Sequence, residues 1–186
     1  VTIGNKVEAI NQKVFERSLK EQEHLIIPDS VVEIGFSAFC DTNIGSVTFG
    51  NKVEVIGAWA FQNCIFLKGE INLPSSLRSI EMCAFRFSAI DKVKGGVNLL
   101  EYGDGAFSET HLTSFEFSRK VTIIPDDLFS SSKLSGEIVL PSNITYIGAS
   151  SFEFTKITKI VFPGALKVIG KFAFYFCTEI KDISLD

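Results

Sequence analysis

Two histidines, four cysteines and a repeated Gly-Glu step are the groups through which this 186-residue chain could do chemistry. A histidine pair on one face would hold a metal or relay a proton, so the separation of His24 and His111 matters. Cys40, Cys64, Cys83 and Cys177 could supply thiolates to zinc or to nucleophilic catalysis. None stands in a C-x-x-C pair, and their spacing matches no zinc pattern. Four cysteines are also too few for a disulfide scaffold, so the expectation is buried free thiols acting as small hydrophobes. Glu70 and Glu137 could pair as acid and base only if the fold brought them close together. No P-loop, G-x-G-x-x-G, G-x-S-x-G or H-E-x-x-H occurs. Tyr102-Gly103-Asp104-Gly105 is a turn and too short for a calcium loop. Asn143-Ile144-Thr145 is a single N-glycosylation sequon just after a proline turn, relevant only to a chain secreted by a eukaryote.

Whether any of these groups meet depends on the elements that carry them, and an internal repeat sets those elements. One phenylalanine per unit stands at Phe15, Phe39, Phe61, Phe85, Phe107, Phe129, Phe152 and Phe174, with spacings of 22 to 24 residues. Five residues earlier come Ile10, Ile34, Ile56, Ile80, Tyr102, Ile124, Ile147 and Ile169. Eight residues earlier come Val7, Val31, Val53, Leu77, Leu99, Val121, Ile144 and Leu166. After each phenylalanine the chain reads apolar-x-x-apolar-x-apolar, often closed by proline, as in Ile157-x-x-Ile160-x-Phe162-Pro163. The final alternation has period two, so it predicts a short strand with one buried face. Proline ends that strand because it has no N–H for the ladder. A second extended stretch, such as Val53 to Ile56, crosses the other side of the coil. Gly35, Gly57, Gly148 and Gly170 let the chain bend there, and the Ala-Phe step fits a tight helical turn.

One unit cannot bury its apolar residues alone, so the units must stack. The expectation is a single domain over residues 1–186, a mainly β repeat solenoid of about eight coils. A parallel sheet lies on one face, with short strands and 3-10 turns on the other. Strand spacing then puts His24 and His111 roughly 19 Å apart, and Glu70 three repeats from Glu137. Neither pair can share a site, and no cofactor or metal is expected. Cys64 and Cys177 share a slot but lie five repeats apart, while a bridge between Cys40 and Cys64 in adjacent repeats stays conceivable.

Segments such as "LPSSLRSIEMCAFRFSAI" and "ALKVIGKFAFYFCTEI" resemble the BspA-like leucine-rich-repeat family over nearly the whole chain. The resemblance implies a right-handed, curved solenoid, and members that are often surface or secreted proteins, some linked to adhesion. It implies an extracellular or cell-surface setting, although the residues themselves leave a cytoplasmic one open. The 46% of hydrophobic residues is ample to bury the core of one domain, and the net charge of −4 argues against nucleic acid as a partner. No run of eighteen apolar residues exists to span a membrane.

Function is then expected on the positions flanking the middle strand residue, which form two outer ladders. One is His24, Ser46, Glu70, Lys92, Ser114, Glu137, Lys159 and Asp182; the other is Ile26, Thr48, Asn72, Lys94, Glu116, Val139, Val161 and Ser184. The candidate protein-binding face is Glu70, Asn72, Lys92, Lys94, Ser114, Glu116, Glu137, Val139, Lys159 and Val161. Its alternative is a plain solvated face on a structural spacer or stalk with no ligand of its own. A second stripe, Ile123, Tyr146 and Val168, with Phe87, Phe154 and Phe176, is expected to be packing, or else a lateral self-association surface. Repeats from about Lys92 to Asp127 depart most from the pattern: Tyr102 replaces isoleucine, Pro125 replaces glycine, and Gly95-Gly96 replaces Leu-Pro. Glu81 likewise replaces glycine one repeat earlier. A local bend is expected there. The first unit is polar from Arg17 to His24 and looks worn. The strand motif before Asp186 carries no polar cap, so a longer natural chain, or self-association through that end, is expected.

Overall fold

The computed structural model describes residues 2–19 and 23–185, so part of the polar stretch in the first unit, and Asp186, lie outside it. The described chain is a parallel β-solenoid of about eight turns, and no helix occurs among the described residues. Each coil has three sides. Two-residue strands make one side, in the parallel order Ala9–Ile10, Glu33–Ile34, Val55–Ile56, Ser79–Ile80 and Glu101–Tyr102. The order resumes as a separate sheet at Ile123–Ile124, Tyr146–Ile147 and Val168–Ile169. Longer strands make the second side: His24–Ile26 with Ser46–Thr48, Lys68–Leu73 with Ala89–Gly95, and Ser135–Val139 with Lys156–Phe162 and Asp182–Leu185. The third side is a run of turns around each repeat phenylalanine. These are turns, and no 3-10 helix occurs among the described residues.

The core is the phenylalanine column. Phe39, Phe61, Phe85, Phe107, Phe129 and Phe152 are wholly buried, and neighbouring rings stack at 5.2 to 6.0 Å from Phe15 to Phe174. The alanine before the ring is small enough to let coils close on one another; Ala38, Ala60, Ala84 and Ala106 have no exposed surface. The glycine column serves close approach: a Cβ on Gly57 would sit 2.8 Å from the Ile34 carbonyl oxygen of the previous coil.

The turn side has a backbone order that the residue pattern did not reveal. In every coil the residues two before and two after the phenylalanine have left-handed φ values, for example Trp59 at 60° and Asn63 at 57°. All but Gly105 of these are non-glycine residues. Left-handed backbone costs an L-residue about 1–2 kcal/mol. The return is hydrogen bonding between coils. Trp59, Phe61 and Asn63 donate their N–H groups to the carbonyls of Met82, Ala84 and Arg86 at 2.7 to 2.9 Å. The same three bonds recur at every step from the first coil to the last. Each is worth about 0.5–1.5 kcal/mol net, which offsets the strain.

The longer-strand side is interrupted between Ser46–Thr48 and Lys68–Leu73, and both sides are interrupted at the irregular fifth unit, where a bend was expected. At the fifth unit the cause is side-chain size. The middle strand column reads Leu25, Val47, Ile71, Val93 and then Phe115, with Phe117 two residues on, in the slot that Gly95 holds one repeat earlier. Phe115 wedges between Phe107 and Phe129, at 5.2 and 4.8 Å from their rings. The Phe107–Phe129 separation is accordingly the widest in the column, at 6.0 Å. Tyr102 joins the cluster edge-on to Phe115 and Phe117, and its hydroxyl accepts the Ser118 N–H at 3.3 Å. Only the three turn ladders run through this point unbroken.

Candidate functional site

The outer ladders form in three separate pieces rather than as two continuous runs. Glu70 pairs in register with Lys92 and Asn72 with Lys94, on adjacent strands. Glu137 pairs with Lys159 and Val139 with Val161. The charges answer one another: Glu70 contacts Lys94 at 3.0 Å and Lys92 at 3.7 Å, and Glu137 contacts Lys159 at 3.1 Å. The hydrogen bond from Lys94 holds the Glu70 carboxyl below its usual range. Water screens such surface pairs, so they add little stability and chiefly fix side-chain positions.

Ser114 and Glu116 do not join either group. The stretch 110–118 contains no strand. Thr113 still donates its N–H to Asp91, and its carbonyl accepts from Ser135. Beyond Thr113 the segment departs from the sheet, pushed out by the Phe115 and Phe117 rings. The expected ten-residue face is therefore two patches separated by a break.

The break opens a groove of about 770 Å³. Phe115, Glu116 and Arg119 line one wall; Glu137, Val139 and Pro141 line the other. That volume falls within the roughly 300–1,000 Å³ common for binding clefts. Val139 is 70% exposed, the most exposed large hydrophobic side chain among the described residues, while Val161 is half-buried. Three members of the expected face, Glu116, Glu137 and Val139, thus meet at one concavity. Arg119 and Pro141 were missed. The sequence offered only a faint sign, two phenylalanines in the slots that Val93 and Gly95 hold one repeat earlier.

The second stripe is also in place. Ile123, Tyr146 and Val168 stand side by side in register. Its aromatic members correct the expectation of packing: Phe87, Phe154 and Phe176 are left-handed turn residues and remain exposed. At the C-terminal coil, Ile169 is 47% exposed where Ile147 in the same column is wholly buried.

His24, Cys64 and Cys177 are held in structural roles. Both ring nitrogens of His24 engage the next strand, Nδ1 with Ser46 Oγ at 2.7 Å and Nε2 with Thr48 Oγ1 at 3.1 Å. Cys64 and Cys177 fill the slot used elsewhere by Thr42, Thr110 and Thr155, and like them donate to the carbonyl of a repeat phenylalanine. Burial pushes the Cys64 thiol up to about 12 and raises that of Cys177. All four cysteines are free thiols, and Cys83 is half-buried rather than buried. Glu16, Cys40 and Asp41 bring ligand atoms within 4.8 Å of one another. However, Asp41 accepts hydrogen bonds from Arg17 and Asn63, and burial pushes the Cys40 thiol up to about 11. A protonated thiol beside an occupied carboxylate is a poor ligand set.

Sequence comparison agrees with this architecture. A family model described as BspA type leucine rich repeat region matches in six copies over residues 1–107 and 100–186. The chain belongs to the BspA-type leucine-rich-repeat family. Solved structures show the same fold. A leucine-rich repeat protein from Bacteroides ovatus superposes with a TM-score of 0.73 at 21% identity, covering 100% of this chain and 63% of that one. One from Eubacterium ventriosum gives 0.55 at 18% identity, over 99% of this chain and 59% of that one. A leucine-rich cell surface protein from Faecalibacterium prausnitzii gives 0.47 at 17% identity, over 100% and 87%. This BspA-type chain therefore spans less than two thirds of the Bacteroides ovatus and Eubacterium ventriosum proteins. No curated protein matches it. Repeat families of this kind are typically non-enzymatic, and no helix of the described residues is long and apolar enough to cross a membrane.

Proposed function

We propose that this chain is a non-catalytic protein-binding module of a surface or secreted protein, and that it grips its partner at the groove beside Val139. The observation that carries the reading is the sheet break. It replaces a flat, charge-paired ladder with a concavity that combines exposed Val139, half-buried Phe115 and the charged rim of Glu116 and Arg119. An apolar centre with a polar rim is the arrangement that concentrates binding energy at protein interfaces. Family membership supports the surface or secreted setting.

The spacer reading has one observation in its favour: the ion pairs at Glu70 and Glu137 leave much of the sheet face satisfied without a partner. A pull-down with the isolated domain separates the two. A specific protein retained by the wild type and lost with Val139→Asp supports the binding module. Retention of nothing supports the spacer, and equal retention by both rejects the groove as the binding site. Self-association through the exposed rungs at Ile169 and Ile183 belongs to the same proposal. Sedimentation that shifts with concentration supports it, and one species at all concentrations rejects it.

A further inference from the structure

The turn side of the first four coils carries a second cleft, of about 390 Å³, unrelated to the groove. It runs between the two columns of left-handed residues, with Trp59 in one column and Arg17, Asp41, Asn63 and Phe87 in the other. Trp59 and Phe87 are exposed, at 37% and 38%. Trp59 is braced by Phe36 at 4.9 Å, and Phe87 by the Arg86 guanidinium at 4.8 Å from its ring centre. Two aromatic faces are thus fixed and open to solvent.

Planar polar groups lie in the same cleft. Asp41 accepts from Arg17 Nε at 3.1 Å and from the Asn63 amide at 2.5 Å. Those bonds orient the groups and leave the Asn63 carbonyl, the Gln62 amide and the terminal amino groups of Arg17 to offer acceptors and donors. The cleft presents no net charge: Arg17 is paired with Asp41, and Lys13 with Glu16 at 3.7 Å. An anionic ligand would meet no spare cation, and a cationic one no spare carboxylate.

We propose that this cleft binds a neutral oligosaccharide. A sugar ring presents weakly positive C–H groups on its faces and hydroxyls around its edge. The faces suit the negative π surface of Trp59 and Phe87. The hydroxyls each donate and accept, which matches the fixed amide, carboxylate and guanidinium edges between the rings. An open, shallow cleft also suits a ligand that enters along the surface as part of a longer polymer.

The repeat supplies variants that keep the backbone intact. Trp59 shares its slot with Gly105, at φ 60° and 61°. Phe87 shares its slot with Asn63, at φ 58° and 57°. Trp59→Gly and Phe87→Asn therefore place residues that the same turn already accepts. Trp59 is also the sole tryptophan of the chain, so its emission reports directly on the cleft. The experiment screens an array of neutral and anionic glycans, then titrates the retained oligosaccharides of two to six sugars against Trp59 fluorescence and by calorimetry. The expected result is a saturable emission shift with a neutral glycan, and binding weakened about tenfold or more in each variant with an unchanged urea midpoint. No emission shift up to about 10 mM, beyond the range of weak recognition, would overturn the proposal. So would undiminished binding by Trp59→Gly, or a preference for sulfated or sialylated glycans.

Discussion

Ser131 is exposed, and its side chain looks free to change, yet its backbone is left-handed at φ 58°. Its N–H donates to Glu153 of the next coil at 2.8 Å. Ser131→Val puts a β-branched side chain into a region that such residues avoid, at an added cost of about 1–2 kcal/mol. Rotating away would release the strain but lose the inter-coil bond, worth about 1 kcal/mol, so the cost is not escaped. Ser131→Gly removes the Cβ clash, worth about 1 kcal/mol. It also loosens the unfolded chain by about 0.4–1 kcal/mol, so the net change is near zero. The control is Ser114→Val, an exposed residue outside the left-handed set, expected to stay within about 0.5 kcal/mol. Urea unfolding followed by circular dichroism measures all three. If Ser131→Val falls within about 0.5 kcal/mol of the control, the coupling of left-handed turns to coil stacking is wrong.

Other outcomes follow from the same structure. Phe61 is wholly buried between Phe39 and Phe85, both at 5.3 Å, so Phe61→Ala should cost about 3–5 kcal/mol in urea unfolding. Gly95 has φ 84°, and a Cβ there would lie 2.2 Å from the Leu73 carbonyl oxygen. Gly95→Val should therefore lower stability by more than about 2 kcal/mol, whereas a loss below about 0.5 kcal/mol would deny the close approach. Burial, followed by Asp126 and Glu153, raises the Asp127 carboxyl above its ordinary 3.8, so the ionised form is the less favourable one in the folded chain. Asp127→Asn should then raise the urea midpoint at pH 7, by an amount that shrinks as pH falls through the raised value. Asp41 has the opposite sign: hydrogen bonds from Asn63 and then Arg17 depress it, so its contribution is present above 3.8 and is lost as pH falls below. Alkylation of the native protein, read by mass spectrometry, should label half-buried Cys83 first and Cys64 last.

The fold was legible because its signal is repetition. Three columns, one of Phe and two of mostly aliphatic residues, each had eight positions in phase, and strand register followed from them, down to the pairing of Glu70 with Lys92 and of Val139 with Val161. The departures at Tyr102 and Gly95-Gly96 also marked a place where the strand pairing of both sides is interrupted. The groove was not legible, because it arises from volume rather than pattern: Phe115 keeps the apolar period while exceeding the space its neighbours occupy. The left-handed columns were hidden for a different reason. Glycine marks such positions in most proteins, but here Lys, Arg, Trp, Phe and Glu occupy them, held by hydrogen bonds to the next coil. The weak trace that remains is an absence: none of these turn positions carries Val, Ile, Thr or Pro. Phe87 was thus expected to be packing or a lateral self-association surface, and Trp59 was not singled out, when the turn geometry points both outward.

The central functional claim is that a protein partner docks in the groove at the sheet break. Hydrogen–deuterium exchange of the domain, free and bound to the protein it retains, tests this most directly. The account predicts protection at 115–119 and 137–143, with little change across Lys68–Leu73 and Ala89–Gly95. Protection confined to those two strands, with none at the groove, would contradict it.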